Sequence, residues 1–451
     1  MKISVIAFLV VCAVYTGNSQ SWPDTISPDR PGDANPEIFS ISGYARGSAF
    51  MLGENYDYAT LFSESGLKSE LNSNTIRLHS DLRFRTGLRF DERFTEIEFR
   101  EIYASYLGKR YDITMGNQIV SWGRTDGFNP TANINPTNYF FFSSEPNDQI
   151  MSNFMLRLRY RISQSVGVDI AGIPFYLPSR YRFDLFGISP FAYFSDDEIP
   201  ARTFKNSAIA ARLNFELPQA GFSFSYFNGY DPMQGFSTAN IQWEGMTPRI
   251  RNAALPYRKQ SFGMDMEIPI SLWIIRSEIA YNHICGSPQS THIPVSNLYY
   301  VFGIERELSG TTVILQYIGR YIAGLETLLE PDIADYDLGD QQSLIRYAND
   351  MIVYETALFN RKIFYQQQKA DHAVCLILSR TAFYDLVRME FYTYFNFSTE
   401  EFMLRPRVIW RASDNLSFSA GGQFMAGPEK SLFDYSRRVF NGVFLEMKAG
   451  F

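Results

Sequence analysis

The segment FMLRLRYR (154–161) puts Phe154, Leu156, Leu158 and Tyr160 at one parity and Arg157, Arg159 and Arg161 at the other. Side chains of a strand alternate between its two faces, so this stretch carries an apolar row on one side and three arginines on the other. An arginine against lipid costs roughly 2–4 kcal/mol at the bilayer midplane, which drives the charged row toward an interior. The same parity runs through IRLHSDLRFRTGLRF (76–90), where Arg77, His79, Asp81, Arg83, Arg85 and Arg89 oppose Leu78, Leu82, Phe84, Leu88 and Phe90. It recurs in FMLRPRVIWR (402–411), which turns Arg405, Arg407 and Arg411 inward.

The first nineteen residues, MKISVIAFLVVCAVYTGNS, combine Lys2, an apolar run to Tyr15 and small residues at cleavage spacing, the pattern of a secretory signal peptide (1–19) removed before Gln20. That run is shorter than the ~20 residues a spanning helix needs. No later stretch is apolar for long enough either. Beyond the signal, Cys285 and Cys375 are far apart and in no metal-ligand spacing, so neither a disulfide framework nor a Cys-based site is indicated. The 39 Phe and 28 Tyr exceed what a soluble core needs. An exported, aromatic-rich chain without spanning helices can satisfy its backbone in lipid only as a closed barrel.

The expected fold is therefore all-β: a transmembrane antiparallel β-barrel of the bacterial outer membrane over residues 38–451, preceded by a periplasmic segment at 20–37. Long outer loops are expected at 121–149, 177–203, 230–258 and 323–371, with tight periplasmic turns between them. Counting alternating segments gives an odd total, whereas single-chain bacterial barrels have even ones, so the expectation is roughly 16–18 strands. Eighteen is favoured, through an additional cut near Thr86-Gly87. Within 323–371, residues 341–368 read as a helix, because Leu344, Ala348, Met351, Ile352, Leu358 and Phe359 share a broad apolar side. The chain ends with Val443, Leu445, Met447, Ala449 and Phe451 at one parity and Glu446 and Lys448 at the other. This resembles the terminal signal by which outer-membrane barrels are recognised by the insertion machinery, with lipid on the apolar side.

The stretch YDITMGNQIVSWGRTDGFNPTANINPTNYF (111–140) is similar to a strand and following loop of porin-like outer-membrane barrels of Gram-negative bacteria, alginate-export porins among them. Gly116, Gln118, Trp122, Gly123 and the run from Ala132 to Pro136 carry the likeness; Asn117 stands where a basic residue is expected in such relatives. The resemblance implies a barrel whose loop folds inward, with Trp122, Arg124, Asn135 and Pro136 at the constriction.

Two readings of the inward charges stay open. Arg77, Arg83, Arg85, Arg157, Arg159, Arg161, Arg405, Arg407 and Arg411 could line a path for carboxylate or phosphate solutes, which guanidinium groups bind bidentately. They could equally pair with carboxylates such as Glu96, Glu98 and Glu390 and fill a narrow lumen. The first describes a porin for small hydrophilic, in the sharper version anionic, solutes. The second describes a largely closed barrel serving as a subunit of a larger assembly with other envelope proteins. The net charge of −7 fits either, since acidic residues gather in outer segments such as 195–198. Asp332, Asp335, Asp337 and Asp340 crowd one loop with oxygen ligands suited to calcium, although their spacing is not that of a helix–loop–helix calcium site. His79 beside Asp81 lacks a nucleophile motif, so catalysis is not expected, and arginines committed to strand positions leave no basis for nucleic-acid binding.

Overall fold

Backbone satisfaction in lipid demands closure, and the chain closes. The structure, a computed structural model, describes residues 39–182, 185, 191–195, 198–286 and 290–451. The expected signal peptide and periplasmic segment, and the acidic pair at 196–197, lie outside these residues. From the first described residue the chain runs through β1 (Phe39–Leu52), β2 (Tyr58–Asn72), β3 (Ile76–Arg89), β4 (Glu92–Leu107), β5 (Tyr111–Gln118), β6 (Asn153–Arg161) and β7 (Val166–Ile173). After an outer strand β8 (Ala192–Phe194) come β9 (Ala208–Leu217) and β10 (Ala220–Tyr230), then an outer hairpin of β11 (Gly235–Glu244) and β12 (Thr247–Leu255). The wall resumes with β13 (Arg258–Ile270), β14 (Trp273–Cys285), β15 (Asn297–Leu308), β16 (Thr311–Tyr321), β17 (Ala370–Ala382), β18 (Val387–Asn396), β19 (Glu401–Ser413), β20 (Leu416–Ala426) and β21 (Gly442–Gly450).

All but β8, β11 and β12 belong to one 18-stranded antiparallel sheet, sealed where β1 pairs with β21 in a register that sets Gly47 opposite Met447. Paired bonds from Gly43 N to Phe451 O (2.9 Å) and from Phe451 N to Gly43 O (2.8 Å) finish the seam. The apolar parity of each strand faces outward, where Ile97 (65% exposed) and Leu445 (60%) stand in the surface that lipid covers. Tyr106 stacks on Tyr111, and Trp410 on Phe418, near the short-turn end, where ring side chains suit the membrane–water boundary.

The even count arises differently from the sequence expectation. Residues 76–107 are not cut at Thr86-Gly87, which lie inside β3; they form two strands joined at Phe90 and Asp91, both at positive φ (50° and 64°) as a two-residue hairpin turn requires. The additional strand is β2, paired with β1 along its whole length. Its outward row carries Ser63, Ser65 and Ser69 between Leu61, Leu67 and Leu71, so its alternation of hydrophobicity is faint. With β2 in place, β1 rises from the short-turn side and the terminal strand β21 descends to it.

On the outer side, β12 pairs with β11 and, in parallel, with β8. The helix α1 (Gln341–Ile363) is capped by the Asp340 carboxylate, which accepts from Ser343 N, and packs against β11, with Asn360 exchanging bonds with Phe236 N (2.8 Å) and O (2.7 Å). It ends five residues short of the expected 368. A second helix, α2 (Leu432–Phe440), not anticipated from the sequence, buries Phe433 and Phe440 beneath the outer rim. Because Leu445 faces lipid, Leu445→Arg is expected to lower the folding free energy by about 2–4 kcal/mol, read as a shifted urea midpoint for refolding into vesicles.

Candidate functional site

The connection from β5 to β6, residues 119–152, turns into the barrel, and local chemistry explains how. Gly116 takes φ 138°, and a Cβ there would stand 2.2 Å from Ile102 O, so the strand bends at a glycine. Gly123 takes φ 100° with the Asn129 amide 2.3 Å from where its Cβ would be. Asn135 closes the base of the loop: its Oδ1 accepts from Val120 N (2.7 Å), and its Nδ2 donates to Gln118 O (3.0 Å) and Met151 O (2.8 Å). Pro136 O takes the Met151 N–H at 2.8 Å. Trp122 is buried and donates from Nε1 to Asp169 of β7 (3.3 Å).

Beyond this base the loop crosses the lumen and bonds to nearly every side of it. Arg124 reaches Asp265 of β13 (2.9 Å), Asn214 (3.0 Å) and Glu216 (2.5 Å) of β9. The Glu278 carboxylate of β14 accepts from the N–H groups of Arg124 (2.5 Å) and Thr125 (2.7 Å) and from the hydroxyls of Thr125 (2.8 Å) and Thr131 (3.1 Å). Asp126 pairs with Arg276 of β14 (2.8 Å), and Phe128 packs on Tyr394 of β18 with centroids 5.3 Å apart. On its return the loop sets Asp148 between Arg46 of β1 and Arg83 of β3, 2.7 Å from each, while Arg100 of β4 donates to the carbonyls of Asn147, Asp148 and Ile150. The aromatic run Phe140 to Phe142 packs against Phe50, Phe62, Phe90 and Phe440.

The arginines singled out in the sequence fall into two groups. Most meet carboxylates: Arg83 with Asp81 and Asp148, Arg85 with Glu64, Glu96 and Glu98, Arg157 with Asp169 (2.5 Å), and Arg159 and Arg161 with Asp112 (3.7 and 3.3 Å). Arg407 pairs with Glu390 (2.5 Å) and Glu145 (3.4 Å), and Arg77 donates to Asn72 (2.9 Å). Arg405 makes no hydrogen bond or ion pair among the described residues and borders a small cavity with Tyr392 and Glu390, while Arg411 is exposed near the short turns. Sequence reasoning missed Arg46, Glu64, Asp112, Asp126, Asp148 and Asp169. Glu64 sits on the strand that went unread, and Asp148 in a loop whose turn formers gave no sign of where it points.

The acidic outer loop disperses its carboxylates into local capping. Asp332 accepts from Ala334 N (3.0 Å), Asp337 from Gly339 N (2.9 Å) and Asp340 from Ser343 N (2.9 Å), while Asp335 is exposed. No group of three or more His, Cys, Asp or Glu among the described residues is placed to hold a metal ion.

Two carboxyls of the inward loop are displaced in opposite directions. Burial pushes Asp126 up to about 6, helped by Glu305 and Glu267 and opposed by Arg276. Burial would also raise Asp148, but the guanidinium groups of Arg46, Arg83 and Arg100 overcome it and hold this carboxyl well below the usual carboxylate range.

A closed antiparallel barrel with an apolar outer belt, a charged lumen and backbone satisfied throughout its wall is an outer-membrane β-barrel. Solved structures share the fold. The chain superposes on opdK, an outer membrane protein of Pseudomonas aeruginosa, over 92% of its own length and 98% of that chain, with a TM-score of 0.54 and 8% identity. OccK5 (OpdH) of the same organism matches over 92% and 98% with a TM-score of 0.52 and 10% identity. OccAB2 of Acinetobacter baumannii matches over 92% and 98% at 0.51 and 10%. Identities this low carry the fold alone. No family model and no curated protein matches the sequence.

Arg124→Ala strands Glu216 and half of the Asp265 pairing, since Arg212 still bonds Asp265 (2.9 Å). A loss of about 3 kcal/mol is expected, the low end for breaking a buried pair, seen as a lower urea midpoint. For Asp126 the folded carboxyl, at about 6, titrates above its unfolded value. Its stabilisation is therefore complete below about pH 4 and lost as pH rises through 6. Asp148 has the opposite sign, stabilising above its unfolded value and losing this as pH falls. Hydrogen exchange at 124–131, corrected for intrinsic rate, is expected to quicken between about pH 4 and 7 in the native protein, with Asp126→Asn flattening that rise.

Proposed function

We propose that this protein is an outer-membrane porin that admits small hydrophilic solutes through a lumen narrowed by the 119–152 loop. The observation that carries the reading is the loop itself, bonded across the interior by charged and polar groups, with its aromatic run packed on Phe50, Phe62, Phe90 and Phe440. A polar cavity of about 280 Å³ lies on its outer side. The similarity of residues 111–140 to porin-like barrels, alginate-export porins among them, supports the same class, because Gly116, Trp122, Gly123 and Asn135 are the residues that turn and brace the loop.

Pairing of the arginines argues for weak charge selection, since neighbouring opposite charges cancel at distance. A preference for anionic solutes then rests on Arg77, Arg405 and Arg411, which pair with no carboxylate among the described residues. The accessory-subunit reading draws on the same dense pairing and on outer segments that expose Leu329 and Leu338. Planar-bilayer recording separates the two: stepwise conductance is expected from the purified barrel. Silence, together with stable co-purification of other envelope proteins, would favour the accessory reading. Within a conducting barrel, Arg157→Gln is expected to shift the reversal potential toward cations by leaving Asp169 unmatched. Adding Asp169→Asn is expected to restore the original value, and a persistent shift would mean the pair is not electrically neutral to the passing ion.

A further inference from the structure

At the outer rim between β7 and β13, three cations stand on the lipid side of the wall. In β13 the outward row runs from Ile268 through Met264 and Phe262 and ends on Arg258, which the register sets opposite Tyr230, the end of the outward row of β10. From the short turn at Ala220 to Tyr230, β10 spans 11 residues. At ~3.4 Å per residue and a tilt of ~40° this is a climb of about 26 Å, the height of a barrel's apolar belt (~25 Å). Tyr230 and Arg258 therefore lie at the upper edge of that belt, where hydrocarbon gives way to headgroups.

The segment before β9 brings the other two cations to the same edge. The Arg202 guanidinium lies over the Phe175 ring (5.6 Å), and Phe175 packs on Phe154 of the outward row of β6, with centroids 6.3 Å apart. Arg258 lies over Tyr230 (5.2 Å) and donates from Nη1 to Lys205 O (2.9 Å), which ties the segment to the wall. The turn there is closed on itself: Thr203 N and Asn206 Nδ2 both donate to Ala201 O (2.8 Å each), and Ser207 Oγ donates to Phe204 O (2.6 Å). It holds Phe204 93% exposed, just before the outward row of β9 begins at Ile209. Left in water, a phenylalanine forgoes about 1.5–3 kcal/mol of burial; against acyl chains it does not.

Unlike most arginines of the lumen, Arg202, Lys205 and Arg258 pair with no carboxylate among the described residues. Glu198 of the same segment is turned to the outer hairpin, where its N–H donates to Ala254 O (3.3 Å) and its charge acts on His292. Long cations at this depth rest their stems on apolar surface and extend their charge to the headgroups, and guanidinium matches phosphate bidentately. We propose that this rim patch binds the phosphate headgroup of an anionic outer-leaflet lipid, with Arg202, Lys205 and Arg258 on the phosphate and Phe204 among the acyl chains. The apolar half of the patch favours a lipid over free phosphate, which would use the cations alone. Because the patch is on the outside of the wall, the proposal stands apart from whether the lumen conducts.

The full barrel in detergent is titrated with dioleoyl phosphatidic acid, dioleoyl phosphatidylcholine and inorganic phosphate, and bound molecules per barrel are counted by native mass spectrometry. Phosphatidic acid is expected to bind more tightly than phosphatidylcholine. Arg202→Gln/Arg258→Gln is expected to weaken its binding by about tenfold or more, and Phe204→Ser to weaken it as well. Arg249→Gln, which removes an exposed cation from β12, is expected to leave it unchanged. Each variant is first shown to be a folded barrel by heat-dependent gel mobility; Arg202→Gln/Lys205→Gln, which alters no strand, replaces the first pair if that pair does not fold. Equal binding of the two lipids, unchanged affinity when the rim cations or Phe204 are replaced, an equal loss in Arg249→Gln, or displacement of the bound lipid by inorganic phosphate at equal concentration would overturn the proposal.

Discussion

Charges that face the inside of a lipid-embedded barrel have no membrane to escape to, so each must find water or an opposite charge. The inward loop supplies many of those opposites. Asp148 answers Arg46 and Arg83, Arg124 answers Asp265 and Glu216, and Asp126 answers Arg276. The dependence runs both ways: the wall needs the loop's charges, and the loop, with little regular structure of its own, needs the wall to hold its path. Buried pairs of this kind add little to stability over apolar packing, yet breaking one is costly because it strands the partner. Their consequence here is positional. They fix one route across the lumen among the many that a connection of this length could take.

How much of this could be read from the sequence divides along the same line. Parity reveals a strand when its two rows differ in polarity, and β3, β6, β19 and β21 were legible for that reason. In β2 the serines at 63, 65 and 69 dilute the outward row, so the strand escaped notice even though Thr60, Phe62 and Glu64 are buried inward. An even strand total was favoured on general grounds and reached through the wrong segment. The loop's inward course was implied by the resemblance of 111–140 to porin-like barrels rather than by any pattern in the residues; within the loop, Gly123 makes room for Asn129, and Asn135 ties Val120, Gln118 and Met151 together. Its partners were not legible, because Arg83 and Asp148 meet across 65 positions of chain and Arg124 and Glu216 across 92. Nothing local in either member records the other.

The outer segments show the same split between local and distant information. Apolar spacing located α1 from 341, and its terminus was placed too late because 364–368 keeps the aromatic and amide composition of the helix. The chain leaves the helix at Phe364, and Tyr365 takes φ 53°, a conformation no helical residue shares. That break sends Tyr365 against Arg320 and Gln366 against Val295. Had the helix continued to 368, side chains at 364–366 would have turned away at helical pitch and the cavity outside the inward loop would have lost the part of its lining that they form.

The lumen is thus layered. Interleaved carboxylates and guanidinium groups occupy the level of the inward loop, and amides and tyrosines, together with the Lys259–Asp231 pair and Arg320, line the cavity outside it. The order follows from cost. Charges concentrate where the barrel's low-dielectric wall surrounds them on all sides and pairing is strongest, whereas the outer level borders water, which can serve the amides. Amide bonds of the outer level can be exchanged singly and cheaply, whereas the pairs at the loop open only by separating opposite charges. The level that the loop crosses is therefore the one that resists rearrangement most.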